Sequence, residues 1–124
     1  MNKRKTANGG ATHATGTGRL NRIRRLNDAL RTQHRGGSIV VTSGVADLGS
    51  DAVRTILNTI ATFEGFDEGN DPYGERDFGS VVFDRKKILF KIDYYDRSLR
   101  LHSPDAADPK VTARVMTIML AHEY

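Results

Sequence analysis

Residues 70–96 read NDPYGERDFGSVVFDRKKILFKIDYYD, and this stretch holds most of the aromatic side chains of the 124-residue chain. Asp71-Pro72-Tyr73-Gly74 has β-turn composition, since Pro presets φ at the second position and Gly accepts the conformations that follow. Phe78 to Phe83 and Ile88 to Tyr95 are dominated by β-branched and aromatic residues, with Asp84-Arg85-Lys86-Lys87 as a polar break, which predicts a β-hairpin. Side chains alternate along a strand, so Ile88, Phe90, Ile92 and Tyr94 share one face, and Val81 and Phe83 supply its match from the first strand. Each such side chain contributes about 1.5–3 kcal/mol when buried, so this face is assigned to the core. The mixed face, with Lys91, Asp93 and Tyr95, is left for function.

The length fits one domain, and the absence of cysteine removes disulfides, thiol nucleophiles and thiolate metal sites. A reducing, cytoplasmic setting is expected, with no membrane association, because no apolar run approaches the roughly 18 residues of a span. The net charge of +4 is unevenly spread: residues 1–37 carry nine Lys/Arg against one Asp, and residues 38–124 carry ten Lys/Arg against fourteen Asp/Glu. Residues 1–17 hold little that a core could bury and are expected to form a disordered basic tail before a single domain at 18–124.

From Arg19 to about His34, Leu20, Ile23, Leu26 and Leu30 mark a helix stripe that Thr17 could cap and Gly36-Gly37 would end. Its other faces carry Arg19, Arg22, Arg24, Arg25, Arg31 and Arg35. Of these, Arg19, Arg22 and Arg25 are the candidates for weak, nonspecific contact with nucleic-acid phosphates. Ser38 to Ser43 reads as a short strand, followed by a loop. A second helix starts with Ser50 as N-cap and Asp51 in its first turn, and buries Val53, Ile56, Leu57, Ile60 and Phe63. Leu99 and Leu101 alternate with Arg100 and His102, suggesting a third antiparallel strand. Asp108-Pro109 resembles a helix start, and Val111, Val115, Ile118 and Met119 fit a third helix. The expected fold class is α+β: three helices packed on an antiparallel sheet of three or four strands.

No strong catalytic spacing is present. His13, His34, His102 and His122 are scattered, and Thr42-Ser43-Gly44 falls short of a nucleophile elbow. Glu75, Asp77, Asp93 and Asp96 would suit Mg²⁺ or Ca²⁺ if they converged, giving a metal-dependent enzyme as one alternative. Arg76, Arg97 and Lys91 lie near enough in sequence to pair with these acids, so no metal and no cofactor are expected.

NDPYGERDFG, KIDYYD and the C-terminal SPDAADP and VTARVMTIMLAHEY resemble a small bacterial family known only as a domain of unknown function. The resemblance runs from about Arg19 onward and implies no activity. That family commonly has His where this chain has Arg76. Asp77-Phe78-Gly79 does not point to a protein kinase, because the Gly-rich and catalytic loops of that fold are missing. The function expected from the residues is a small non-enzymatic binding or regulatory module, such as an inhibitor or modulator encoded on a mobile element. It would engage an unidentified protein partner through Asp71, Tyr73, Glu75, Arg76, Asp77, Asp93, Tyr94, Tyr95 and Asp96. A nucleic-acid-associated accessory protein using the Arg-rich helix is the other alternative. The sequence leaves the oligomeric state open.

Overall fold

The hairpin read from the sequence is the antiparallel pair β2 (Phe78–Phe83) and β3 (Lys86–Tyr95). It is closed by Asp84 and Arg85, both at positive φ (49° and 63°), the geometry of a two-residue type I′ turn whose twist suits the strands it joins. The structure is a computed structural model and describes residues 14–124. The other elements are α1 (Ala14–Gln33), β1 (Ser38–Val41), α2 (Ser43–Ala46), α3 (Ser50–Ala61) and β4 (Ala113–Leu120), followed by a 3₁₀ turn over Ala121–Glu123. The four strands form one sheet in the order β1-β4-β3-β2. β4 runs antiparallel to β3 and parallel to β1, so the sheet is mixed rather than purely antiparallel.

The core lies between one face of this sheet and the three helices. Ile88, Phe90, Ile92 and Tyr94 project into it as the alternation predicts, with Val81, Met116 and Ile118 beside them. α3 contributes Ile56 and Ile60, with Val53 and Leu57 partly buried at its flanks; the helix ends at Ala61, so Phe63, expected on it, packs on the core from the loop that follows, and α1 contributes Ile23 and Leu30. Between those two α1 residues Asn27 is fully buried, while Leu26 sits only half-buried at the side. The opposite sheet face carries no α-helix, although Leu89 and Met119 on it are buried near the C-terminal 3₁₀ turn. On it lie Phe78, Ser80, Val82, Lys91, Asp93, Tyr95, Val115 and Thr117, and Tyr124 folds over its edge to meet Phe78 with ring centroids 5.8 Å apart.

Three sequence expectations change. Residues 113–120 form a central strand rather than a third helix: β4 is hydrogen-bonded on both sides and apolar on both faces, which a helix stripe imitates. The third helix is instead the short α2, capped by the Thr42 hydroxyl accepting from the Val45 N–H, where a loop was expected. Residues 99–102 are not a strand. Only Tyr95 and His102 make a bridge, and Asp96 closes the turn by accepting from the N–H groups of Arg100 and Leu101 and from the Ser98 hydroxyl.

Two caps also differ. Gly49, at φ 101°, is the N-cap of α3, so Ser50 is its first residue and Asp51 pairs with Arg54 at 2.8 Å. The basic tail expected over 1–17 lies, as far as residue 13, outside the described residues. α1 already includes Ala14 to Thr17, so Thr17 is not its cap. Among the described residues no helix is long and apolar enough to cross a membrane.

Candidate functional site

The segment between α3 and β2 is folded by its own side chains. Asn70 and Asp67 cap each other's backbone, and Asp71 to Gly74 close the expected turn with a Gly74 N–H to Asp71 carbonyl bond of 3.1 Å. Both Asp71 carboxylate oxygens accept from the Arg76 N–H at 3.1 Å, which holds Arg76 in the left-handed region (φ 58°). A non-glycine residue adopts that conformation at a cost, so it persists only where neighbours fix it. The Arg76 guanidinium reaches back to Asp28 of α1 at 2.7 Å.

α1 is therefore the brace of this loop. Arg24 donates to the Gly74 carbonyl at 2.7 Å, and Asn27 donates through its amide nitrogen to the Glu75 carbonyl (2.9 Å) and the Tyr94 hydroxyl (2.8 Å). The Tyr94 hydroxyl donates in turn to the Glu75 carboxylate at 2.7 Å. Arg114 of β4 completes the network. It donates to the Asn27 side-chain oxygen at 2.5 Å and to the Ala106 carbonyl, and its guanidinium lies 4.9 Å over the Tyr94 ring. Arg114 is 3% exposed, and burial lowers its pKa while Tyr94 and Glu75 oppose that shift. Burial also raises the Tyr94 pKa well above its ordinary value, which keeps the phenol protonated as a donor. A buried cation, a buried amide and a buried phenol thus satisfy one another and fix Glu75, as buried polar groups must.

The site residues expected from the sequence separate into two groups. Asp71, Glu75, Arg76, Tyr94 and Asp96 are spent on holding the backbone or the core, and Tyr94, at 8% exposure, is not a surface residue. Tyr73, Asp77, Asp93 and Tyr95 reach the surface. Asp77 and Asp93 line two adjoining clefts: one of about 310 Å³ shared with Tyr73, Phe78, Lys91 and Tyr124, and one of about 330 Å³ shared with Tyr95, Arg100 and His102. Tyr73 is 80% exposed and Tyr124 75%. Lys91 and Asp93 pair at 3.2 Å on the open sheet face. Glu75 faces the buried network and Asp96 its own turn, and among the described residues no three His, Asp or Glu side chains are placed to hold a metal ion.

The Asp77 carboxyl is pushed up to about 6, first by burial and then by the charges of Glu75, Asp71 and Asp93. The folded protein thus holds this proton more tightly than the unfolded chain. That contribution to stability is full below the ordinary 3.8 and is lost as pH rises through about 6. Asp77→Asn, which cannot ionise, is expected to raise Tm over wild type by a few degrees at about pH 7.5, and to make little difference near pH 3.5. The increment is kept small because the half-buried group is screened by solvent. Thermal melts of both proteins across this range give the answer. A difference independent of pH would mean that Asp77 titrates normally.

On α1 the arginines are mostly committed to structure. Arg19 pairs with Asp105 at 3.1 Å, and Arg35, just past the end of the helix, donates to the Gln33 side chain. Arg31, expected on a solvated face, is 5% exposed: it donates to the carbonyls of Ile60, Ala61 and Phe63 at the C-terminus of α3, and to Asp28. Arg22 and Arg25 stay exposed and make no hydrogen bond or ion pair within the described residues. Asn27 and Arg114 were missed by the sequence reading. Their signal was a polar residue on the buried face of α1 and an arginine inside an apolar run.

The fold and site define a two-layer α+β domain that presents a braced polar loop beside a sheet face that no α-helix covers. The chain belongs to the family described as Protein of unknown function (DUF3768), which it matches over residues 41–123. The matched span begins after α1 rather than at Arg19. No curated protein and no solved structure matches the chain.

Proposed function

We propose that the chain is a small binding module that engages a protein partner through the motif loop and the adjoining open sheet face. Tyr73 is the central anchor in this reading, with Asp77, Asp93 and Tyr95 around it and Phe78 and Tyr124 as additions from the fold. The observation that carries the reading is the contrast at Tyr73. Its ring is 80% exposed, yet the backbone on either side is tied to α1 and to Asp71 by side-chain bonds. A large aromatic on a rigid loop loses little conformational entropy on docking, which is the property of an interface anchor. The cleft that Tyr73 lines and the cleft adjoining it are both lined by Asp77 and Asp93, which favours a partner segment that brings a basic side chain. Asp71, Glu75, Arg76, Tyr94 and Asp96 support this surface without touching the partner.

Tagged full-length protein retrieved from its host cells tests the reading. Wild type is expected to retain a defined protein, and Tyr73→Ala to lower that retention about thirtyfold, the loss of a hot-spot residue of roughly 2 kcal/mol. Tyr73→Ala should melt at the wild-type temperature because the ring is exposed. Equal retention by wild type and variant would refute the assignment of Tyr73.

A further inference from the structure

The free edge of β2 points to a second copy of this chain as its partner. β2 is an edge strand, hydrogen-bonded only to β3. In the antiparallel ladder residues alternate between bonded pairs and outward-facing ones. The Ile92 N–H to Asp77 carbonyl bond at 2.8 Å fixes the parity, so residues 77, 79, 81 and 83 face β3, and the backbone N–H and C=O groups of Phe78, Ser80 and Val82 face outward. Among the described residues none of these outward groups has a protein partner. Edge strands are ordinarily guarded by charge, Pro or a bulge. Phe78-Gly79-Ser80-Val81-Val82-Phe83 has none of these, and Val82 is 70% exposed beside it.

We infer that two copies of the chain join β2 to β2 in antiparallel orientation, making one continuous eight-stranded sheet from two four-stranded ones. The hydrogen-bonded pairs of the new ladder must be outward residues, and the register that uses all of Phe78, Ser80 and Val82 puts Ser80 on the two-fold axis and Phe78 of one copy opposite Val82 of the other. Exposed Val82 is thereby covered by an aromatic ring on the helix-free face. Charge selects this arrangement. One end of β2 carries the turn Asp84-Arg85-Lys86-Lys87, with three basic residues to one acid, and the other carries Asp71, Glu75 and Asp77 with Arg76. Antiparallel pairing sets each basic turn beside the acidic end of the second copy, whereas parallel pairing would bring like ends together. The opposite edge, β1, has four residues and no such division of charge.

Sedimentation equilibrium of the full chain, diluted from about 1 mM to about 1 μM, reads the association directly. A dimer that dissociates on dilution is expected. Val82→Lys and Ser80→Pro should each raise its Kd about tenfold or more. Ser80→Pro removes an outward N–H and leaves the bonds to β3 in place, and Val82→Lys changes a side chain already in solvent, so both should melt like wild type at low concentration. Val40→Lys, on the other edge, should associate like wild type. If Ser80→Pro fails to fold, Val82→Lys decides alone. A wild type that is monomeric throughout, a dimer indifferent to Val82→Lys, or one dissolved by Val40→Lys would overturn the inference. The Tyr73 reading is told apart by Tyr73→Ala, which should leave this dimer unchanged.

Discussion

Arg114→Ala is expected to destabilise the protein by about 3–5 kcal/mol, because it removes one member of a buried charged network and leaves the others unpaired. The Asn27 oxygen and the Ala106 carbonyl would each lose their donor, and Glu75 would lose the attraction of the Arg114 cation. The Tyr94 ring would also lose the cation above it. Tyr94→Phe breaks only the hydroxyl link between Asn27 and Glu75 and should cost less, about 1–3 kcal/mol. Urea unfolding of both single variants and of the double variant measures the coupling, which should be well above zero for residues in one network. A loss below about 1 kcal/mol for Arg114→Ala would show that the network is dispensable.

Phe90→Ala should cost a similar amount, about 3–5 kcal/mol, for a different reason. Phe90 is fully buried at the meeting of the sheet with the loop after α3, edge-to-face with Phe63 (5.4 Å) and Phe66 (6.2 Å). Its ring occupies the space where a side chain on Gly79 would stand: a Cβ there would lie 2.7 Å from the ring and 2.9 Å from Phe63. Removing the ring leaves a cavity that a glycine opposite cannot fill. The loop over residues 64–70 would lose its anchor as well, so limited proteolysis there should accelerate beyond what the global loss of stability accounts for. Denaturant melts give the first effect and mapped cleavage sites the second. Cleavage that tracks global unfolding alone would mean that Phe66 is held by other contacts.

The parts of the fold that the sequence disclosed are those built from local pattern. β2 and β3 could be read because alternation and a polar break coincide, and α3 because Val53, Ile56, Leu57 and Ile60 keep a helical period. β4 was hidden by its central position. With Arg114, Met116 and Ile118 turned to the core and Val115, Thr117 and Met119 to the other face, neither side is polar, and Val111, Val115, Ile118 and Met119 match a helix by chance. The overlooked signal was β-branching at Val111, Thr112, Val115, Thr117 and Ile118. The site was half legible. A stretch rich in Asp, Glu and Tyr announces polar work, but which acids are consumed in holding the loop depends on Asn27 and Arg114, far away in sequence. No spacing rule carries such a partnership.

The placement of β4 between β1 and β3 also governs the order in which the chain can assemble. β2 and β3 can close on each other as soon as Tyr95 has been made, since a hairpin needs only its own turn and forms within microseconds. β1, made much earlier, has no strand to join until β4 appears: Ser38 finds its neighbour in Val115, and Val41 in Ile118. During synthesis β1 must therefore wait, with Ile39 and Val41 uncovered, for a strand translated after every other. Such long-range closure is slow, and the waiting interval is when a nascent chain is most exposed to wrong pairings.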